Sequence, residues 1–140
     1  AERERVAGVL LVNPAIATRD WRVRPAARLH RLLPSQEGVA NDIALPGATE
    51  LGYPRFSVTS LATMTALWRD VRRNLGRLSA PVLLMRSAVD HVVDDLTAQL
   101  LRKKVKDLRF VELPNSYHVA TLDHDAQLIV EESRRFIGAR

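Results

Sequence analysis

PVLLMRSAVDHVVDD at residues 81–95 and LPNSYHVATLD at residues 113–123 share one plan. The apolar run from Val82 to Met85 is too short for a helix, is introduced by Pro81 and gives way to a polar loop holding Asp90. It reads as a buried parallel strand that delivers a carboxylate at its C-terminal end. In the second stretch, the β-prone residues Phe110 to Leu113 are broken by Pro114 and Asn115, and His118 follows in a loop before a helical pattern starts at about Asp123. Open α/β sheets place their chemistry at the carboxyl ends of the strands, so Asp90 and His118 are expected on one rim.

Between the two stretches, Asp94 or Asp95 is expected to cap a helix running to about Lys106, with Leu96, Leu100 and Val105 toward the sheet and Arg102, Lys103, Lys104 and Lys106 in water. Residues 81–113 are then a βαβ unit, and a right-handed crossover makes its two strands parallel. A last helix from about Asp123 to Ile137, stopped by Gly138, would pack Ile129, Phe136 and either Leu128 or Ile137. Upstream, VAGVLLVN at residues 6–13 reads as a third buried strand ended by Pro14. A compact domain rarely opens on a central strand, so more chain is expected on its N-terminal side.

The residues between differ in kind. Arg24 to Leu33 carries a short helix with Ala27, Leu29, Leu32 and Leu33 apolar, and residues 34–54 are rich in turn formers without periodicity. From Val58 onward Leu61, Met64, Leu67, Val71, Leu75 and Leu78 fall on one helical stripe, with a break expected near Trp68. The expectation is an α/β fold of about three parallel strands with flanking helices and a mostly helical insert. It divides into a core strand at 1–16, an insert at 17–70 and a C-terminal α/β core at 71–140.

The 140 residues make one domain, with 46% hydrophobic residues and a mean hydropathy of −0.11. No apolar run approaches the roughly 20 residues of a membrane span. The chain has no cysteine, which excludes disulfides, a cysteine nucleophile and thiolate metal sites, and fits a reducing, cytoplasmic setting. A net charge of +5 and a pI near 10.4 raise the question of nucleic acid. The arginines are interleaved with acids in ERER, TRDWRVR and LWRDVRR, aromatics are 5% of the chain and no nucleic-acid motif occurs, so these are solvated helix faces.

Strand, Asp loop, helix, strand, NS-aromatic-His loop and final helix resemble the C-terminal portion of an α/β-hydrolase, in its small bacterial carboxylesterase and monoacylglycerol-lipase-like branch. PVLLMRSAVDHVV resembles that branch's acid loop and LPNSYHVATLD its histidine loop. VNPAI at 12–16 and Asp70 to Leu78 followed by SAPVLLMRS resemble it too. The resemblance implies a Ser-His-Asp esterase with Asp90 as the acid, His118 as the general base and residues 17–70 as a lid over an acyl pocket. It implies an acyl or monoacylglycerol ester as substrate, water as the second reactant and no cofactor. The chain order, acid before histidine, is the hydrolase order.

No G-x-S-x-G occurs in these residues. The nucleophile elbow and oxyanion loop are therefore expected on a partner segment, the N-terminal half of the same hydrolase, without which this chain is expected to be inactive. Ser116 lacks the strained elbow of a nucleophile and reads as loop hydrogen bonding, Ser87 as support for the Asp90 loop, and Ser57, Ser60 and Ser79 as turn or capping residues. His91 is expected to be structural, and His30 and His124 to face solvent. Asp90-His91 and Asp123-His124-Asp125 lack any metal-ligand spacing, so no metal is expected. The stripe of Leu61, Met64, Leu67 and Val71 is either core against the sheet or, at its outer edge with Trp68, Trp21 or Tyr53, an acyl-chain lining. An exposed edge at residues 6–13 would favour a homo-oligomer. The alternative from another class is a non-catalytic α/β binding or oligomerisation module.

Overall fold

A computed structural model of the chain describes residues 6–29, 35–38, 41–53 and 55–139. His30, Leu32 and Leu33 lie outside the described residues. The elements are β1 (Val9–Val12), α1 (Val23–Arg28), β2 (Gln36–Glu37), β3 (Arg55–Phe56), α2 (Val58–Asn74), β4 (Val82–Ser87), α3 (Leu96–Lys104), β5 (Leu108–Leu113) and α4 (Ala126–Gly138). Short 3₁₀ turns at Leu75–Arg77 and Ala120–Leu122 lead into β4 and α4.

β1, β4 and β5 form a parallel sheet in the order β1-β4-β5, with Val9 opposite Val82 and Val82 opposite Leu108. β4 is the central strand, and Val82 to Met85 are at most 1% exposed. Alternation along the strand sends Val82 and Leu84 to one face, with Leu75, Ala98, Leu101 and Val105. Leu83 and Met85 go to the other, with Leu113, Ala120, Ile129 and Phe136. A strand buried on both faces cannot alternate in polarity, which is why it is written as an unbroken apolar run. The Phe136 ring packs so close on β1 that a Cβ at Gly8 would meet its Cε1 at 2.8 Å. β1 pairs only with β4 among the described residues.

The helices correct several expectations. α2 runs unbroken through Trp68, because no Gly or Pro interrupts it before Gly76. Ser57, extended at ψ 132°, caps it by accepting the Thr59 N–H. Along its stripe, Leu75 is buried and Val71 and Leu78 pack on the same core, but Met64 and Leu67 are 37% and 61% exposed. The stripe is core only where the sheet lies under it.

In α3 the buried face is Thr97, Ala98 and Leu101, one residue on from the expected Leu96 and Leu100. Thr97 turns inward because its hydroxyl accepts the N–H groups of Ile16 and Ala17, at 3.0 and 3.2 Å, and so ends β1's exit loop. Asp94 accepts the Leu96 N–H at 2.9 Å and thus serves the start of that helix, whereas Asp95 pairs with Arg19. In α4, Ile129 and Phe136 are buried and Leu128 packs beside them, whereas Ile137 is 64% exposed. Gly138 is the last residue of the helix itself. β2 lies in the stretch read as irregular, and it pairs antiparallel with β3 just beyond that stretch.

Candidate active site

Both candidate residues follow the carboxyl ends of neighbouring strands. β4 ends at Ser87, and the loop turns at Asp90, whose Oδ1 accepts the N–H groups of Val92 and Val93 at 2.9 and 2.8 Å. That local turn aims the other oxygen at the next loop. Asp90 Oδ2 lies 3.1 Å from His118 Nδ1, and Arg86 Nη1 lies 3.5 Å behind it. The Asp90 side chain is 0% exposed and that of His118 is 28% exposed, so the imidazole bridges from a buried carboxylate to an open rim. An ionised carboxylate can only accept, so in the neutral imidazole Nδ1 carries the proton and Nε2 holds a lone pair. His118 Nε2 has no partner among the described residues.

The loops are stitched by residues that carry no charge. Asn13, at the end of β1, is 4% exposed and holds a left-handed backbone, φ 44°. Its Oδ1 accepts the Ser87 N–H at 2.8 Å, and its Nδ2 donates to Ser87 Oγ at 2.9 Å and to the His118 carbonyl at 2.8 Å. Ser87 Oγ in turn donates to the Tyr117 carbonyl at 2.7 Å. Ser87 therefore supports the His118 loop more directly than the Asp90 loop. Ser116 Oγ accepts the Asp125 N–H at 2.8 Å, the loop hydrogen bonding read for it.

No known family model matches the sequence. Among curated proteins, the thermostable monoacylglycerol lipase of Bacillus sp. (strain H-257) is 33% identical over 104 residues, which are 73% of this chain and 42% of that protein. A solved structure described with LipS and LipT, two metagenome-derived lipolytic enzymes, superposes with a TM-score of 0.91 at 31% identity, covering 98% of this chain and 57% of that one. The Paleococcus ferrophilus monoacylglycerol lipase matches the fold at a TM-score of 0.77 and 19% identity, over 99% of this chain and 62% of its own. The chain belongs to the α/β-hydrolases. It spans about half the length of these relatives, and it corresponds to the C-terminal part of their fold.

Within this α/β-hydrolase chain the other candidates are dispersed. Trp68 lines a cavity of about 310 Å³ with Val23, Thr65, Arg72, Leu96 and Leu100, away from Asp90 and His118. Met64 and Leu67 point outward from α2, and Trp21 and Tyr53 are 78% and 89% exposed. His124 is exposed. His91 does not face the Asp90 carboxylate: its Nδ1 lies 2.7 Å from Asp42 Oδ1, and its ring meets Tyr117 edge-on at 4.7 Å. Among the described residues no group of three or more His, Asp or Glu side chains is placed to hold a metal ion, and no helix is long and apolar enough to cross a membrane.

Two carboxylates missed in the sequence tie the insert to the core. Asp42 accepts N–H groups from both His91 and His118. Asp123, 3% exposed, accepts the N–H groups of Ala44, Leu45, Tyr117 and His124 at 2.7 to 2.9 Å. The sequence signal was slight: an Asn-Asp turn at 41–42 and an Asp after an apolar turn.

The electrostatics follow from these bonds. The hydrogen bond to Asp90 raises the His118 pKa above its ordinary value, against the opposing effect of burial. Burial pushes Asp90 up, but the bonds from His118 and from the Val93 and Val92 N–H groups outweigh it and leave it below the usual carboxylate value. The same balance lowers Asp123, through the N–H groups of Ala44 and Tyr117, and Asp94, through those of Arg19 and Leu96. A carboxylate depressed in the folded state contributes stability above its unfolded pKa, near 4, that is lost as pH falls through the folded value. Because Asp94 and Asp123 fasten residues 18–19 and 44–45, the insert is expected to loosen first on acidification. Hydrogen exchange at pH 6 and pH 3 checks this: Ala44, Leu45 and Arg19 amides should lose protection before those of β4, and simultaneous loss would contradict it.

Proposed function

We propose that this chain supplies the acid and the general base of a Ser-His-Asp carboxylic-ester hydrolase of the lipase and esterase kind. The observation that carries the reading is the Asp90 Oδ2 to His118 Nδ1 contact of 3.1 Å, with Nε2 open on the rim. A serine hydroxyl is a weak nucleophile until a base takes its proton. In the proposed reaction His118 Nε2 takes that proton as the serine oxygen bonds to the ester carbonyl, then returns it to the departing alcohol. Asp90 keeps the imidazole in the right tautomer and stabilises the imidazolium formed. Water, deprotonated by the same Nε2, releases the acid and regenerates the serine.

The nucleophile belongs to a segment outside these residues, since they contain no G-x-S-x-G. β1, which pairs only with β4 among the described residues, offers that segment a strand edge. The substrate class is an acyl or monoacylglycerol ester, supported by the names of the relatives. The insert acts as a lid, and the exposed Met64 and Leu67 suit an acyl chain.

Reconstitution tests the reading. Uniting the 140 residues with a nucleophile-bearing segment is expected to give monoacylglycerol hydrolysis that neither part has alone. Full activity of the chain alone, or none in the assembled protein, would contradict it.

A further inference from the structure

The insert reaches the rim through one carboxylate. Asn41 takes a left-handed backbone, φ 63°, which asparagine tolerates, and its Oδ1 accepts the Glu50 N–H at 3.0 Å. That turn aims Asp42 inward, where its side chain is 11% exposed. Oδ2 accepts the His118 N–H at 3.1 Å and the His91 N–H at 3.2 Å, while Oδ1 lies 2.7 Å from His91 Nδ1. Its own carbonyl accepts the Val119 N–H at 3.1 Å. Asp42 thus holds the residue after the acid and the base itself with one side chain. His91, stacked edge-on to Tyr117, steadies the pair from outside.

We propose that Asp42 is a positioning residue of the triad: its carboxylate clamps the Asp90 loop to the His118 loop, so that the base is aligned only when the insert is seated on the rim. The inference rests on the ester-hydrolase reading. A structural tether alone would be replaceable by any hydrogen-bonding side chain, but Asp42 also presents a negative charge to the imidazolium that forms during turnover. The groups whose charge bears on His118 are Asp90 from the acid loop and Asp42 and Glu50 from the insert. Arg86 stands behind Asp90 and His91 behind Asp42. The bond to Asp90 contributes most, and the Asp42 charge adds to it in holding the His118 pKa up.

Asp42→Asn keeps an acceptor and the size but removes the charge. In the assembled hydrolase, kcat is expected to fall roughly 10- to 100-fold, as for loss of a charged hydrogen bond, with KM changed less than about twofold. The base must be neutral to act, so a lowered His118 pKa should carry the acid limb of the kcat/KM profile to lower pH. Asp42→Glu restores the charge in strained geometry, and is expected to lower kcat while keeping the parental acid limb. If the asparagine variant does not fold, the glutamate variant decides alone, and unchanged kcat overturns the proposal. A parental kcat and acid limb in Asp42→Asn also overturn it, provided that His118→Ala is inactive. If His118→Ala is itself active, the ester-hydrolase reading is what has failed.

Discussion

His118→Ala is expected to lower kcat of the assembled hydrolase by about 10⁴- to 10⁶-fold, with KM little changed. The side chain has one stable partner, Asp90, and its remaining nitrogen faces the open rim, so the loss is of base strength and not of packing. Asp90→Asn should cost about 10⁴-fold for a different reason. Asparagine preserves the shape of the Asx turn onto Val92 and Val93 but can donate toward Nδ1, which favours the wrong tautomer. The two effects should not add, because both remove the same proton transfer. Steady-state hydrolysis of a monoacylglycerol by the single and double variants measures this, and a His118→Ala loss below tenfold would sink the assignment.

Asn13→Ala is the second large effect, and it falls on stability as well as rate. The substitution leaves the buried Ser87 N–H without its acceptor and the His118 carbonyl without its donor. It also places alanine at φ 44°, where a Cβ is penalised. Together these should destabilise the assembled protein by about 3–5 kcal/mol. Asn13→Gly removes the same bonds without the backbone penalty, so it should retain about 1 kcal/mol more stability than alanine. Denaturant unfolding of the two variants checks the difference, and a loss under about 1 kcal/mol for alanine would show that β1 does not anchor the histidine loop.

What could be read in the sequence was what local chemistry determines. The VLLM run announced a strand buried on both faces, and the Pro114-Asn115 break announced the loop that carries His118. Asp90 and His118 could be paired because each follows a parallel strand, and strand ends of one sheet lie side by side. The parts that escaped depend on partners far along the chain. Asn13 meets Ser87 across 74 positions and Asp42 meets His118 across 76, and nothing in the immediate neighbours of either asks for that contact. The register of α3 slipped by one because Thr97, polar by composition, is buried by its bonds to Ile16 and Ala17. Periodicity placed Met64 and Leu67 on the right stripe of α2, but not whether the sheet reached under them.

Three carboxylates around the site join residues 17–70 to the loops and helix that follow the sheet strands. Asp123 holds Ala44 and Leu45, Asp94 holds Thr18 and Arg19, and Asp42 holds His118. Every one of these bonds links a carboxylate and a group on opposite sides of the boundary between residues 17–70 and the rest of the chain, so acid loosens these links while leaving the apolar core of the sheet in place.

The most direct measurement is the rate at which a serine-reactive fluorophosphonate labels the assembled protein, followed by locating the label and repeating the reaction with His118→Ala. The expected result is a label on a serine outside these 140 residues, at a rate that rises as His118 deprotonates and collapses in the alanine variant. A label on Ser87 or Ser116, or an undiminished rate without His118, would contradict the triad built on Asp90 and His118.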